Sequence, residues 1–249
     1  MNDPAQNLKL SLHKTISRWW KEESEREGVP RSAAKFLATF FEFLRDSTPA
    51  RRRQRYGDVD FDWDYKVDTT GATVSARDRL LGMFHSPYQP TEPALFHEMM
   101  QALQRDFRLD FCEFTFIDIG SGKGRALLLA ADYPFRRIIG VELLPDLHRI
   151  AQENIAKYKS ETQKCFAMES ICRDAREFHF PADPILLYLF NPLPEAGLRQ
   201  LLTSLENSLR QFPRPAYVLY HNPLLESVIV NSSVLRKVGG THQYSIFTM

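Results

Sequence analysis

The segment with the clearest chemical potential is a glycine-rich turn at residues 118–124, Asp-Ile-Gly-Ser-Gly-Lys-Gly, which lies between an apolar run and a helical pattern. Glycines accept positive φ angles and let a ligand approach the bare backbone, and the helix that follows offers unpaired N–H groups. Asp118 comes just before the first glycine. Its carboxylate would repel a pyrophosphate but would suit a ligand that carries an ammonium group. The turn therefore favours a positively charged ligand.

Two phosphate-binding motifs fit this turn poorly. A dinucleotide fingerprint, G-x-G-x-x-G, needs a glycine at the position of Arg125, and here the third glycine is Gly124. A Walker A loop needs Gly-Lys-Ser/Thr after four variable residues that follow its first glycine, and that sequence is missing. The pattern therefore disfavours a nicotinamide oxidoreductase and a P-loop enzyme.

A second carboxylate, Glu142, ends the next apolar run after the turn. In a doubly wound sheet the carboxyl ends of neighbouring strands meet at one crevice, so Asp118 and Glu142 are expected there together. An acid at the end of the second strand can accept hydrogen bonds from both hydroxyls of a ribose. Alternatively, Glu142 is a solvated strand-end residue.

The run DIGSGKG, followed by IIGVELLPDL, resembles motifs I and II of the class I, seven-strand S-adenosylmethionine-dependent methyltransferases, and the resemblance covers roughly residues 85–249. It implies that Asp118 lies near the methionine amino group of the cofactor and that Glu142 holds the ribose hydroxyls. It also implies that Leu143 lies against the adenine and that Asp174 receives the adenine amino group. The cofactor-binding residues expected on this basis are Tyr88, Thr91, Asp118, Gly120, Ser121, Gly122, Gly124, Glu142, Leu143, Asp174 and Asn191.

The expected methyl-transfer residues are Asn191 and Pro192, which follow the apolar run at residues 185–190. An Asn side-chain oxygen, with a backbone carbonyl fixed by prolines, can hold an N–H acceptor and aim its lone pair at a methyl group. Amino-methylating members of the family carry Asn/Asp-Pro-Pro-aromatic here. This chain has Leu193 and Pro194 in the last two places, which weighs against a nucleobase acceptor. A turn that merely closes the strand is the alternative.

The segment before the glycine turn gives further acceptor-side signals. Tyr88 and Thr91 stand in a Tyr-x-Pro-Thr element similar to one in seven-strand protein lysine methyltransferases, where it touches the methionine end of the cofactor. The run Asp58–Tyr65 alternates acids with aromatic residues, and it either lines a pocket for a cationic amine or packs its rings onto the core. Candidates for the proton acceptor are Asp62, Asp64, His85 or water.

The elements that must position these residues change character near residue 110. Before it, helical periodicity predicts one helix through Leu12, Ile16 and Trp19 or Trp20, another from Ser32 to about Arg45, buried through Phe36, Leu37, Phe40, Phe41 and Leu44, and a third beginning near Pro93. After it, strands alternate with helices, as in βαβ units. The strand patterns are Phe114–Asp118, Arg137–Glu142, Glu169–Arg173, Ile185–Phe190, Ala216–Tyr220 and Gln243–Thr248, and the helix patterns are Gly124–Ala131, Pro145–Tyr158 and Pro194–Phe212.

We therefore expect an α/β fold with a Rossmann-like, doubly wound, mostly parallel seven-strand sheet, helices on both faces and a helical N-terminal extension. The extension is expected over residues 1–80 and the S-adenosylmethionine-binding domain over residues 81–249. With 32 basic and 31 acidic residues, the chain shows no overall bias toward polyanions. No apolar run approaches the roughly 20 residues that cross a bilayer, and no secretory signal pattern begins the chain. Three cysteines without metal-ligand spacing predict buried thiols in a reducing compartment, here the cytoplasm, and no metal site.

The function expected from these observations is S-adenosylmethionine-dependent methyl transfer, with a protein lysine or another amine as acceptor. The alternatives are a small-molecule or nucleic-acid methyltransferase and a cofactor-binding scaffold without catalysis. We expect a methyl-acceptor partner, no membrane partner and no nucleic-acid partner.

Overall fold

A computed structural model describes residues 12–46, 59–70, 80 and 89–249. Its helices are α1 (Leu12–Glu27), α2 (Val29–Asp46), α3 (Val59–Tyr65), α4 (Pro93–Phe107), α5 (Arg125–Ala130), α6 (Pro145–Lys157), α7 (Glu195–Gln211) and α8 (Glu226–Val230). Its strands are β1 (Thr115–Ile119), β2 (Arg137–Glu142), β3 (Met168–Cys172), β4 (Ile185–Leu189), β5 (Ala216–His221), β6 (Arg236–Gly240) and β7 (Tyr244–Thr248). Two 3-10 turns lie at Phe111–Glu113 and Ala175–Glu177.

The strands form one seven-stranded sheet in the order β3-β2-β1-β4-β5-β7-β6. The first five strands run parallel, and β7 is antiparallel to both β5 and β6. This confirms the expected Rossmann-like, mostly parallel sheet. The strand order reverses between β1 and β4, so a crevice opens at their carboxyl ends, where such sheets bind ligands.

Both faces of the sheet are covered, which is why the central strands are apolar along their whole length. Helices α4 and α5 pack over the face that contains Phe116 and Leu186. Helices α7 and α8 pack over the opposite face, which contains Ile117 and Leu187. Since side chains alternate between faces, Asp118, Tyr188 and His221 point to the same face as Phe116 and Leu186.

The strand and helix patterns after residue 110 are confirmed within one or two residues at their ends. Three short elements were not predicted from the sequence. They are α3, α8 and the edge strand β6. The side chains of β6 are mostly exposed and its pairing with β7 shifts register between Lys237 and Gly239, so it carries no apolar alternation to detect. Short elements of this kind depend on tertiary contacts more than on local pattern.

Helices α1 and α2 form a hairpin around Gly28, which has φ +81°. Two expectations for this hairpin are wrong. Helix α2 begins at Val29, so Ser32 is not its N-cap, and the Ser32 hydroxyl instead donates to the carbonyl of Gly28. The apolar side chains of α2 are not buried as expected, since Leu37 is 66% exposed and Phe41 is 67% exposed.

Some expectations concern residues that the structure does not describe, and these include the structural setting of Tyr88 and His85. Among the described helices, none has the combination of length and apolar character that bilayer crossing takes. The same part of the chain holds no cluster of three or more His, Cys, Asp or Glu side chains arranged for a metal ion. Cys112 is exposed, contrary to the expectation of three buried thiols. Location in the cytoplasm stays a prediction.

Candidate functional site

The glycine turn after β1 has a backbone that requires glycine. Gly120, Gly122 and Gly124 have φ angles of +75°, +55° and +87°. The amide N–H of Gly120 donates to the carbonyl of Val141 at 2.8 Å, which folds the turn back onto the end of β2. A Cβ on Gly120 would lie 2.8 Å from Cβ of Pro192, so that position also needs glycine for close approach to the turn after β4.

The two acids predicted at this edge are both buried beside the turn. Glu142 accepts hydrogen bonds from the amides of Gly122 and Leu144, each at 2.7 Å, and so fixes the turn. Asp118 is 3% exposed, and its carboxylate forms no ion pair with any residue that the structure describes. Burial, followed by the negative charge of Glu142, raises the pKa of Asp118 well above its ordinary value.

The back of the turn is anchored by a buried lysine. Lys123 has no exposed side-chain surface, and its Nζ donates to Oδ1 of Asp68 at 2.8 Å and to the carbonyl of Thr70 at 2.7 Å. Asn154 of α6 reinforces this contact by donating to the carbonyls of Asp68 and Lys123. Burial lowers the pKa of Lys123, and the hydrogen bond to Asp68 opposes that effect. Residues 68–70 are therefore joined to the glycine turn.

Arg125, the first residue of α5, makes the second anchor. Its Nε donates to Oγ1 of Thr69, its Nη2 donates to Oδ1 of Asp62 at 3.2 Å, and its guanidinium lies 4.2 Å from the ring centroid of Phe61. Asp62 also accepts from the amides of Thr69 and Thr70. The guanidinium therefore faces α3 and the residues after it.

These contacts decide the role of the acidic and aromatic run. Residues 59–65 of that run form the short helix α3, in which Phe61 is buried on the core while Trp63 is 82% exposed. Asp62 accepts hydrogen bonds from Arg125 and from two backbone amides. It is therefore not the free proton acceptor that we expected as one candidate. The interpretation that the run packs onto the core fits better than an amine pocket.

Asp174 lies at the end of β3 and caps the 3-10 turn that follows. Its carboxylate is bound by Arg176, whose Nη2 donates to Oδ2 at 2.5 Å and whose Nε donates to Oδ1 at 2.9 Å. Burial by itself would raise the pKa of Asp174, and the hydrogen bonds from Arg176 outweigh burial and lower it. An adenine amino group expected at Asp174 would therefore share the carboxylate with Arg176.

Asn191 forms a joint between the ends of β4 and β5. Its backbone has φ +47°, a conformation that Asn adopts more readily than most residues. Its Oδ1 accepts from the hydroxyl of Tyr220 at 2.8 Å, and its Nδ2 donates to the carbonyl of Asn222 at 2.7 Å. The amide group is thus held in one orientation, with a lone pair of Oδ1 left for another donor.

A buried polar chain that the sequence analysis missed runs across the same edge. The hydroxyls of Thr91 and Tyr188 are 3.0 Å apart, and the Tyr188 hydroxyl is 2.7 Å from Nδ1 of His221. Tyr188 is the neighbour of Asp118 in the pairing of β1 with β4. A tyrosine inside an otherwise apolar strand was the available signal, because a buried hydroxyl needs a partner.

A cleft of about 690 Å³ lies between helix α1 and the carboxyl ends of the strands. Leu143, Asp174, Asn191 and Asn222 line its sheet side, and Trp19 lines its α1 side. The structure therefore brings three of the expected site residues, Leu143, Asp174 and Asn191, to one cleft. The hydroxyl of Ser121 is buried next to Gly140 and has no hydrogen-bond partner in the described chain.

Comparison with known proteins gives partial matches, and no protein-family model matches the sequence. A curated relative from Chlamydia muridarum, described as an uncharacterized RNA methyltransferase, is 30% identical over 125 residues, which is 49% of this chain and 29% of the relative. The chain thus spans less than a third of the length of that relative.

Two solved structures are similar at lower identity. An RNA methyltransferase from Salinibacter ruber in complex with S-adenosyl-L-homocysteine has 19% identity and a TM-score of 0.42, over 64% of this chain and 92% of the other. The human methyltransferase 10 domain containing protein has 12% identity and a TM-score of 0.46, over 79% of this chain and 94% of the other.

Proposed function

We propose that this chain is an S-adenosylmethionine-dependent methyltransferase. The observation that carries the proposal is the pairing of a bare glycine turn with Asp118, a buried carboxylate that has no cationic partner in the described chain. A buried carboxylate beside a second one is unfavourable until a positive charge arrives. An amino acid ammonium group on a nucleoside supplies that charge, whereas a diphosphate would add a third negative group.

The residues around the turn fit such a ligand. Glu142 ends β2 beside the turn, where its carboxylate can accept from ribose hydroxyls, and Leu143 and Asp174 line the cleft next to it, where an adenine ring would lie. Arg125 points to Asp62, away from the ligand side of the turn, so it does not offer its charge to a phosphate. S-adenosylmethionine supplies an activated methyl group, and the protein supplies alignment and electrostatics.

We propose a nitrogen atom as the methyl acceptor. Asn191 is fixed by Tyr220 and Asn222 with a free lone pair on Oδ1, so it can accept a hydrogen bond from an N–H group and orient it. The description of the curated relative as an RNA methyltransferase supports a nucleic-acid acceptor more than the protein lysine expected from the sequence. The expectation against a nucleic-acid partner therefore loses support.

Calorimetric titration with S-adenosylhomocysteine tests the proposal. We expect wild-type protein to bind one equivalent, and Gly122→Arg to abolish binding because its side chain fills the turn. Gln211→Arg adds the same side chain at an exposed position and serves as the matched control. Wild-type protein that does not bind the ligand, or equal binding by Gly122→Arg, would contradict the proposal.

A further inference from the structure

His221 ends β5 on the same face of the sheet as Asp118 and is 6% exposed. Two contacts fix its ring. Nδ1 lies 2.7 Å from the hydroxyl of Tyr188, and the ring of Phe190 stacks on the imidazole with centroids 3.9 Å apart. The Tyr188 hydroxyl is also within hydrogen-bond distance of the Thr91 hydroxyl. These contacts hold the imidazole in one orientation.

The position of His221 connects the two halves of the site. Its stacking partner Phe190 lines the cleft and directly precedes Asn191, and the next residue, Asn222, receives the hydrogen bond of the Asn191 amide. At the other end of this hydrogen-bonded series of side chains, Thr91 contacts Tyr188, which lies on the strand next to the one that carries Asp118. His221 thus stands between the expected methionine end of the cofactor and the acceptor side.

The two ring nitrogens of His221 differ in their hydrogen bonding. Nε2 makes no hydrogen bond within the part of the chain that the structure describes, while Nδ1 is bound to Tyr188. When Nδ1 carries the proton, it donates to Tyr188, the Tyr188 hydroxyl donates to Thr91, and Nε2 keeps its lone pair. The chain of hydroxyls can therefore hold the ring as a neutral base.

We infer that His221 is the proton acceptor of the methyl-transfer step and that the methyl acceptor is an amine conjugated to an aromatic ring, such as a nucleobase carries in RNA. The inference rests on the proposed function. In the step, the lone pair of the acceptor nitrogen forms the bond to the methyl carbon as the carbon–sulfur bond breaks and its electron pair stays on sulfur. The proton on nitrogen goes to Nε2 of His221.

Two observations support the acceptor class: the fixed Oδ1 of Asn191, which can accept a hydrogen bond from an N–H group, and the weak basicity of a buried imidazole. Burial lowers the pKa of His221 to about 4, with no charged group contributing. A lysine ammonium has an ordinary pKa of about 10.4, so its proton would move uphill by about six pKa units, a roughly millionfold penalty. A conjugated amine is neutral before attack, and its methylated cation is acidic enough to lose a proton to such a base.

The groups around His221 in the described chain are uncharged at neutral pH. They are Tyr188 and Phe190 of β4, Tyr244 of β7, which pairs with His221 across the sheet, and Thr91 before α4. Burial raises the pKa of both tyrosines, so neither carries charge near neutrality. His221 therefore stays neutral before the step and has no carboxylate that would raise its basicity toward that of a lysine-deprotonating base.

The test uses the full chain with methyl-labelled S-adenosylmethionine and two acceptor pools, total RNA and total protein from the expression host. We expect wild-type protein to place label in RNA. His221→Asn removes the base but keeps a polar side chain, so transfer should fall roughly 100-fold or more, in the range that a general base contributes. Calorimetric binding of S-adenosylhomocysteine should change far less than transfer does, because the substitution leaves Asp118, Glu142 and the glycine turn unchanged.

Two further variants keep the result interpretable. Tyr188→Phe removes only the hydroxyl that holds Nδ1, and transfer should fall by roughly tenfold, as the loss of an orienting partner does. His179→Asn changes an exposed histidine and should leave transfer and binding as they are. If His221→Asn fails to fold by thermal melting, Tyr188→Phe decides the role of the ring.

The outcomes separate the inference from the proposed function. Wild-type protein that does not bind S-adenosylhomocysteine defeats the proposed function. Wild-type protein that binds this ligand but labels protein, or labels neither pool, overturns the acceptor class. Full transfer by folded His221→Asn, or by Tyr188→Phe when that variant decides, overturns the role of His221 as the base.

Discussion

Two N-terminal segments meet the α/β core in different ways. The segment from α3 to Thr70 reaches it through buried charges, with Lys123 and Arg125 bound to Asp68, Thr69 and Asp62. The hairpin of α1 and α2 reaches it through ion pairs at the surface. Arg26 lies 3.5 Å from Glu195, and Arg18 lies 4.0 Å from Asp174, with half of each arginine side chain exposed.

The difference shows which part of the N-terminal region belongs to the site. Buried charges must be paired with good geometry, so α3 and the residues after it can take only one position on the glycine turn. Exposed ion pairs contribute little, so the hairpin covers the cleft without being fixed to it strongly. We therefore propose that the unit that binds the cofactor includes residues 59–70 and does not start at residue 81.

The largest expected effect comes from breaking the buried contact. Arg125→Met leaves the carboxylate of Asp62 buried without its cation, so the free energy of unfolding should fall by about 3–5 kcal/mol. Denaturant titration of the full chain measures this change. A loss below 1 kcal/mol would mean that the segment is not fixed to the turn by this pair.

A smaller effect, of opposite sign, is expected from the buried charge that lacks a partner. Asp118→Asn removes a carboxylate whose desolvation is uncompensated, so the protein without ligand should gain about 1–3 kcal/mol of stability. Because burial raises the folded-state pKa of Asp118 above its ordinary value of 3.8, proton binding favours the folded state. The stability that the wild-type protein gains from protonation of Asp118 is present below the ordinary carboxyl pKa. It is lost as the pH rises through the folded-state pKa.

Denaturant titration at two pH values checks this linkage. The stability advantage of Asp118→Asn should be small near the ordinary carboxyl pKa and larger near neutrality. Glu153→Gln, which changes a half-exposed carboxylate on α6, is the control and should show little dependence of this kind. An advantage that shrinks as the pH rises would contradict an unpaired buried Asp118.

The smallest effect is expected at the hairpin. Arg26→Met removes the exposed pair with Glu195, so the free energy of unfolding should fall by less than about 1 kcal/mol. High salt should reduce even that difference, since salt screens exposed charges. A loss comparable to that of Arg125→Met would remove the distinction between the two segments.

Much of the core was predictable because local pattern and tertiary structure agree there. The apolar strands, the glycine turn and the acids Asp118 and Glu142 are specified by short stretches of sequence and by the geometry of parallel sheets. Helix α3 was not predictable in this way, because its position depends on partners more than fifty residues away, Lys123 and Arg125.

The acceptor side was predicted only in part for the same reason. Asn191 was found from its turn, but its contacts with Tyr220 and Asn222 require knowing that β4 and β5 are neighbours. His221 and Tyr188 meet only through that pairing. The sequence could not reveal that Arg176 binds the carboxylate of Asp174, since that contact depends on the short 3-10 turn between them.

The central claim is that Asp118 binds the ammonium group of a nucleoside amino acid at the glycine turn. Calorimetry of wild-type protein and Asp118→Asn with S-adenosylhomocysteine, 5′-methylthioadenosine and ADP tests it most directly. The account predicts that the variant binds S-adenosylhomocysteine more weakly by about 1.5–3 kcal/mol, roughly 10- to 150-fold, as the loss of a charged hydrogen bond requires. We also expect unchanged binding of methylthioadenosine, which lacks the amino acid ammonium group, and no binding of ADP. Tighter binding of ADP than of S-adenosylhomocysteine, or equal weakening of both adenosine thioethers, would contradict it.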